Sequence, residues 1–195
     1  MQAKIILASG SPRRRELMAR EGFEFDVITS NAQESYDPTL PVAKIAQSLA
    51  TLKAQAVADT LEPSRLAQSI VVGADTIVAL DGTIYGKPQD ASDACSMLKE
   101  LSGKTHEVIT GVCIIYNGQV QSFSQSTKVR FKELDDAQIK DYVASGEPMD
   151  KAGAYGIQGL GGKLVDGIEG DFDNVVGLPI KTLAPKLRAL LSAND

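Results

Sequence analysis

The chain has 195 residues, of which 43% are hydrophobic and 23% are charged, the proportions of an ordinary globular protein. Its 20 basic and 25 acidic residues give a formal net charge of −5, which argues against a general nucleic-acid binder, because such proteins are strongly basic. Tryptophan is absent and aromatic residues make up 5% of the chain, which leaves little for a platform that stacks single-stranded bases.

The first predicted elements are a strand over Lys4–Ala8, a turn of small residues and a helix over about Pro12–Glu21. Ser11 is predicted to cap this helix, since a proline follows it at the first helical position. Arg13 and Arg14 lie in the first turn, where the helix dipole disfavours positive charge. A bound anion such as phosphate explains them better than helix stability does, and a solvated basic turn is the alternative.

A second strand is predicted up to about Thr29, followed by a polar loop that contains Glu34 and a long helix over Pro41–Ala58. Lys53 falls in the middle of the apolar stripe of this helix. An inward-directed lysine either extends its ammonium to water or meets an anion, because an unpaired buried ammonium is costly. The stripe is predicted to consist of Val42, Ala46, Leu49, Ala56 and Val57.

Asp75 interrupts an apolar stretch that runs from Ile70 to Leu80 and ends at the hairpin signal Asp81-Gly82. Buried carboxylates are paired, protonated or bound to metal. One interpretation is a salt bridge or an aspartate that closes a strand. The other is an acid at a strand end that binds a divalent ion or activates water. Gly73 and Ala74 are expected to clear space beside Asp75, which favours the second interpretation.

The second half of the chain predicts further helices and strands in alternation, with one clear antiparallel hairpin, which is typical of an α/β fold with a mixed sheet. Lys87 follows the first hairpin and is unremarkable by itself. The predicted elements are a helix over Ala91–Leu101 closed by Gly103, strands over His106–Tyr116 and Gln119–Phe131 joined by Asn117-Gly118, a helix over Asp135–Ser145, a strand over Lys163–Ile168 and a helix over Pro179–Leu191.

The glycine-rich segment Lys151–Gly162 lacks the spacing of a phosphate-binding loop. Gln158 stands among its glycines, and a neutral amide there suits the edge of a nucleobase, although a plain surface loop is the alternative. His106 is the single histidine and is interpreted as structural, because no Ser-His-Asp triad or zinc site can be assembled around it.

Cys95 and Cys113 have no disulfide-scaffold or zinc-site spacing, so both are expected to be reduced thiols. No apolar run reaches transmembrane length, and the N-terminal apolar stretch is too short for a signal peptide. A cytoplasmic protein without membrane or nucleic-acid partners is expected, with a homodimer as the default if the chain assembles.

Taken together, the motifs resemble the Maf family of nucleoside triphosphate pyrophosphatases over nearly the whole chain, and most closely the branch that acts on dTTP and UTP. The resemblance rests on Ser9-Gly10-Ser11-Pro12-Arg13-Arg14, Gly73-Ala74-Asp75-Thr76, Gly86-Lys87-Pro88, Ser102-Gly103 with His106, Thr110-Gly111-Val112, Asp150–Gly159 and Val176-Gly177-Leu178-Pro179.

This resemblance implies a single α/β domain, residues 1–195, with a mixed twisted sheet flanked by helices and two lobes separated by a deep cleft, similar to inosine triphosphate pyrophosphatases. It implies cleavage of a nucleoside triphosphate to a monophosphate and pyrophosphate, with Mg²⁺ or Mn²⁺. By position, Asp75 matches the catalytic acid that accepts a proton, and Arg13, Thr76 and Gln158 match the determinants of base preference. Five further residues match polar positions of the cleft, namely Ser9, Arg14, Glu34, Lys53 and Lys87. From these matches and the residue types, the metal is expected at Asp75 with Glu34, and phosphate binding is expected of Ser9, Arg14, Lys53 and Lys87.

The expected activity is hydrolysis of dTTP and UTP, and the same pocket would accept modified pyrimidine nucleotides such as 5-methyl or pseudouridine forms. A nucleotide-binding regulator of cell division or septation, with little catalysis, is the rival from another class. The enzyme is favoured because a binding module has no need for an acid, a metal position and several cations on one phosphate chain.

Overall fold

The structure is a computed structural model that describes residues 3–193. Within that range seven strands form one sheet in the order β2-β1-β3-β5-β6-β7, with β4 paired to β3. Strand β1 is parallel to β2 and β3, whereas the β3–β4 and β6–β7 pairs are antiparallel, so the predicted mixed sheet is confirmed. The strands are β1 Lys4–Leu7, β2 Phe25–Val27, β3 Ser69–Leu80, β4 Thr83–Tyr85, β5 Thr105–Tyr116, β6 Gln119–Phe131 and β7 Val165–Glu169.

Helices connect and flank these strands, as the alternating pattern predicted. None of the helices among the described residues has the length and apolar character needed to cross a bilayer. The helices are α1 Pro12–Arg20, α2 Val42–Ala58, α3 Pro63–Leu66, α4 Ala91–Leu101, α5 Asp136–Ala144, α6 Phe172–Val176 and α7 Ile180–Ser192, with 3₁₀ turns at Glu147–Asp150, Ala152–Ala154 and Leu160–Leu164.

The chain divides into two compact units. The first unit takes the chain up to Asp75, Thr110–Gln125 and the chain from Gly177 onward, and the second takes Thr76–Ile109 and Ser126–Val176. Each unit has its own apolar core. The residues of β3, β5 and β6 are divided between the two units.

Helix α2 packs directly on the sheet of the first unit because two glycines leave room for its backbone. A Cβ on Gly73 of β3 would lie 2.9 Å from the Cβ of Ala54 and would overlap the carbonyl oxygen of Ala50. A Cβ on Gly111 of β5 would lie 2.6 Å from the backbone nitrogen of Gln47. Only residues without a side chain permit this approach.

The buried face of α2 differs in part from the predicted stripe. Val42 and Ala56 are half-buried, and the fully buried positions are Ile45, Ala46, Leu49, Ala50, Ala54, Val57 and Ala58. The helix packs on two strands at once, so its buried face is wider than a single stripe.

Several local predictions are confirmed by backbone geometry. Asn117 and Gly118 both have positive φ between β5 and β6, as a two-residue hairpin turn requires. Gly103 follows α4 with φ of 69°, as expected for a left-handed residue that ends a helix. The helix predicted over Asp135–Ser145 is α5, and Asp135 caps it in a reciprocal capping box with Gln138.

Ser11 is the N-cap residue of α1 and Pro12 begins the helix, as predicted, although the Ser11 side chain makes no capping hydrogen bond. Other local predictions were wrong. Strand β2 covers three residues and is shorter than predicted, and α6 was not predicted at all. Residues 69–80 form one continuous strand through Asp75, which therefore lies within β3 and not at a strand end.

Candidate functional site

Two carboxylates and one ammonium meet in the first unit. The Nζ atom of Lys53 donates to Oδ1 of Asp75, and it lies 2.9 Å from Oε1 of Glu34. The side chains of Lys53 and Asp75 are 17% and 12% exposed, whereas that of Glu34 is 54% exposed. The inward-directed lysine therefore meets two carboxylates of the protein itself. For Asp75, the salt bridge that was one of the two interpretations is present.

The packing of α2 on β3 explains how this ion pair forms. Gly73 and Asp75 are two residues apart on a strand, so they share one face of the sheet. Gly73 contacts Ala54 of α2, the residue that follows Lys53. The space that Gly73 provides is filled by the helix, which corrects the expectation that it clears room beside Asp75 for a ligand. Its effect is to bring the lysine within reach of the aspartate.

Arg14 is anchored beside this pair by two directed hydrogen bonds. Its Nε donates to the carbonyl oxygen of Gly177 at 2.7 Å, and its Nη1 donates to Oγ of Ser9 at 3.0 Å. Desolvation lowers the pKa of Arg14, the negative charge of Asp75 opposes that change, and the charge of the half-buried Arg13 adds to it. Arg14 therefore feels the charge of Asp75 within the same unit.

The first unit thus brings together six of the residues that the sequence singled out: Ser9, Arg13, Arg14, Glu34, Lys53 and Asp75. Two carboxylates next to cationic side chains are a hard-oxygen donor pair beside groups that attract phosphate. Mg²⁺ is held in proteins by one or two carboxylates together with substrate phosphates and water. Asp75 and Glu34 fit that pattern, and among residues 3–193 no group of three or more His, Cys, Asp or Glu side chains is arranged to hold a metal.

The remaining predicted site residues belong to the second unit. Thr76 follows Asp75 in β3 and is half-buried, Lys87 is exposed just after β4, and Gln158 is exposed in the glycine-rich segment.

The glycine-rich segment is held by two side chains that no sequence motif indicated, Glu147 and Tyr142. Glu147 accepts hydrogen bonds from the backbone N–H groups of Leu160, at 2.9 Å, and Gly161, at 3.0 Å. The hydroxyl of Tyr142 donates to Glu147 at 3.0 Å and accepts from the N–H of Gly156 at 3.2 Å. The three bonds to backbone N–H groups join residues that are 13 or 14 positions apart in sequence. No local sequence motif therefore predicts them.

Tyr155, which precedes Gly156 in the glycine-rich segment, belongs to a buried group of three rings. Nε2 of His106 lies 2.8 Å from the hydroxyl of Tyr155, and both rings pack edge-to-face with Phe131. Desolvation lowers the pKa of His106 to about 4 and raises that of Tyr155, so both side chains are neutral at neutral pH. The structural interpretation of the single histidine agrees with this burial. Cys95 and Cys113 are free thiols.

Comparisons with known proteins agree with the sequence motifs. The family model described as Maf-like protein matches residues 4–190. A protein of Bacillus cytotoxicus named dTTP/UTP pyrophosphatase is 49% identical over 185 residues, which cover 95% of this chain and 94% of that protein. A protein of the same name from Thermococcus gammatolerans is 49% identical over 186 residues, covering 95% of this chain and 96% of the relative. Among solved structures, the Staphylococcus aureus Ham1 protein matches with 14% identity and a TM-score of 0.45, over 67% of this chain and 72% of that one.

Proposed function

Because the chain belongs to the Maf family, we propose that it hydrolyses dTTP and UTP to the nucleoside monophosphate and pyrophosphate. The observation that carries this proposal is the convergence of Lys53, Asp75 and Glu34 in one cluster beside Arg14. Relatives that share about half of its residues over nearly the whole chain carry the name dTTP/UTP pyrophosphatase.

In this proposal Asp75 accepts the proton of the attacking water. The oxygen of that water forms a bond to the α-phosphorus, the bridging bond between the α and β phosphates breaks, and pyrophosphate leaves. A carboxylate of low exposure is suited to this role because little bulk water competes for its hydrogen bond. Its hydrogen bond from the Lys53 ammonium holds the carboxylate in place.

Arg14, Lys53 and Lys87 are proposed to bind the triphosphate, with the hydroxyl of Ser9 as a neutral partner. Preorganised cations stabilise the charge that develops on a departing pyrophosphate, because they need no rearrangement at the moment of reaction. Arg14 meets this condition through its bonds to Gly177 and Ser9, which hold the guanidinium in one orientation.

Asp75 and Glu34 are the residues proposed to hold Mg²⁺ or Mn²⁺. A divalent ion bound there would neutralise phosphate oxygens as a Lewis acid. Within the chain, the Lys53 ammonium contacts both carboxylates, which places an oxygen of each one beside the same nitrogen atom.

Gln158 is proposed to read the base, with Thr76 and Arg13 as further determinants. A carboxamide offers both a donor and an acceptor, which matches the N3–H and carbonyl groups of uracil and thymine. Both bases leave the 5-position variable, so 5-modified pyrimidine nucleotides are proposed as additional substrates of the same site.

The test is a product assay with dTTP, UTP, CTP and GTP, each with and without Mg²⁺ or Mn²⁺. We expect metal-dependent release of pyrophosphate from dTTP and UTP, and a loss of about 10²–10³ in rate for Asp75→Asn. Asp26→Asn is the matched control, because it removes a strand aspartate whose ion pair with Arg65 is exposed. Equal rates on all four nucleotides would refute the pyrimidine preference. Binding of UTP without turnover would favour the nucleotide-binding regulator instead.

A further inference from the structure

The six residues Gly156–Gly161 include Gln158, and their backbone is bound by two side chains outside the segment. We define the Glu147–Tyr142 clamp as the side chains of Glu147 and Tyr142. It binds the N–H of Gly156 on one side of Gln158 and the N–H groups of Leu160 and Gly161 on the other. The segment is therefore fixed at both of its ends.

Two glycines of this segment, Gly159 and Gly161, lie against the clamp with no room for a side chain. A Cβ on Gly159 would lie 2.7 Å from Cδ of Glu147, and a Cβ on Gly161 would lie 2.6 Å from the hydroxyl oxygen of Tyr142. Real Cβ atoms do not approach this closely, so the contact is steric as well as hydrogen-bonded.

A segment rich in glycine has many accessible backbone conformations, so without restraint its single amide side chain would be presented in many orientations. A ligand that binds such a segment must order it at a cost in affinity. The clamp removes most of that freedom before a ligand arrives. Gln158 itself stays exposed, which leaves its amide available for contact.

A negatively charged carboxylate at position 147 suits the binding of these N–H groups, because both of its oxygens accept hydrogen bonds. It accepts from three donors, namely two backbone N–H groups and the Tyr142 hydroxyl. Burial opposes ionisation, but these hydrogen bonds hold the pKa of Glu147 below its ordinary value. A neutral amide at position 147 would accept through one atom only and would leave a backbone N–H without its partner.

We propose that Glu147 and Tyr142 are positioning residues that set base selectivity by holding the Gly156–Gly161 segment so that it presents Gln158. This inference rests on the proposed function, in which Gln158 reads the base. It predicts that the clamp acts on discrimination between nucleobases and not on the chemistry at the phosphorus.

The experiment compares Glu147→Gln, Gln158→Ala and the double variant with the wild-type chain, using UTP and CTP. We expect Glu147→Gln to raise the KM for UTP about tenfold and to lower the UTP/CTP ratio of kcat/KM about tenfold, with kcat for UTP changed less than about twofold. In the Gln158→Ala background the same substitution should have no further effect on the ratio, because the side chain through which it acts is gone.

Glu100→Gln is the matched control, because Glu100 accepts a hydrogen bond of 2.7 Å from Tyr85 and this Tyr–Glu bond includes no atom of the segment. Gly161→Ala is a second variant that displaces the segment, because its Cβ would lie 2.6 Å from the Tyr142 hydroxyl oxygen and 2.7 Å from the Gly156 carbonyl oxygen. It leaves the carboxylate of Glu147 intact and should reproduce the loss of selectivity. Amide hydrogen exchange at Leu160 and Gly161 provides a readout without activity. It should accelerate at least about tenfold in Glu147→Gln and stay unchanged in Glu100→Gln.

Two failures are distinguishable. If Gln158→Ala leaves the UTP/CTP ratio unchanged, the proposed role of Gln158 fails and this inference fails with it. The inference alone is overturned if Gln158→Ala lowers the ratio but Glu147→Gln and Gly161→Ala do not. It is also overturned if the Leu160 and Gly161 amides of Glu147→Gln exchange at wild-type rates.

Discussion

Lys53 of α2 and Asp75 of β3 are 22 residues apart in sequence, and the lysine ammonium donates to the aspartate carboxylate at a site where both side chains are largely buried. The same ammonium lies 2.9 Å from the more exposed Glu34. One cation therefore contacts both carboxylates, and its removal would leave them without the ammonium that joins them.

Replacement of Lys53 by methionine keeps the apolar stem and removes the charge. We expect the free energy of unfolding to fall by about 1–3 kcal/mol, because Asp75 loses its hydrogen-bond donor while it stays largely buried. Turnover of UTP should fall by about 10²–10³. Lys44→Met is the control, since Lys44 is exposed on the same helix and should cost less than about 0.5 kcal/mol. Equal urea-unfolding curves and equal turnover for the two variants would contradict the assigned role.

Gly73→Ala tests whether the approach of α2 to β3 creates the ion pair. The added methyl group would lie 2.8 Å from the backbone nitrogen of Ala54, so the helix must move away from the strand and carry Lys53 with it. We expect a loss of about 1–3 kcal/mol in stability together with reduced turnover. Gly86→Ala, whose Cβ would enter open space, should leave both measurements close to wild type. Retention of full activity by Gly73→Ala would show that the close approach is not needed.

Arg14→Lys tests the anchoring of the guanidinium. Lysine cannot make the two divergent bonds to the Gly177 carbonyl and the Ser9 hydroxyl, so we expect a loss of about 1–2 kcal/mol, or a drop in Tm of about 2–8 °C. The adjacent Arg15→Lys is the control, because Arg15 is exposed and donates to the Gly10 carbonyl. Thermal unfolding followed by circular dichroism separates them, and identical Tm values for the two variants would rule out a special anchoring role for Arg14.

His106 predicts a specific dependence of stability on pH. Its pKa in the folded chain is about 4, below the ordinary value of 6.5, so the unfolded chain binds the proton first as the pH falls. The stabilising effect of the neutral ring is complete above pH 6.5, and up to about 3 kcal/mol is lost between pH 6.5 and 4. Urea unfolding across this range should show a shallower pH slope for His106→Gln than for wild type. Parallel slopes would exclude His106 as the source.

Features with short-range causes were predictable from the sequence. The hairpin turn at Asn117-Gly118 and the end of α4 at Gly103 follow from backbone conformations that asparagine and glycine adopt readily. The inward lysine followed from helical spacing, and the interrupting carboxylate followed from its apolar neighbours. Each signal depends on residues within about two turns of a helix, which is why one sequence could reveal it.

The assignments that failed depend on contacts between distant parts of the chain. Strand β3 continues through Asp75, and Lys53 of α2 donates a hydrogen bond to that carboxylate. Gly73 leaves room for the backbone of α2 and not for a ligand. The Glu147–Tyr142 clamp was missed for the same reason, since Glu147 binds backbone groups 13 and 14 residues away.

By itself the sequence determined which charged side chains of this protein lie on apolar faces, together with the order of most of its helices and strands, because both depend on local periodicity and composition. Only the tertiary structure decided which partner each of those side chains meets. Partner choice is set by the distance at which helix and strand backbones pack, a property of two remote segments and of the glycines that let them approach.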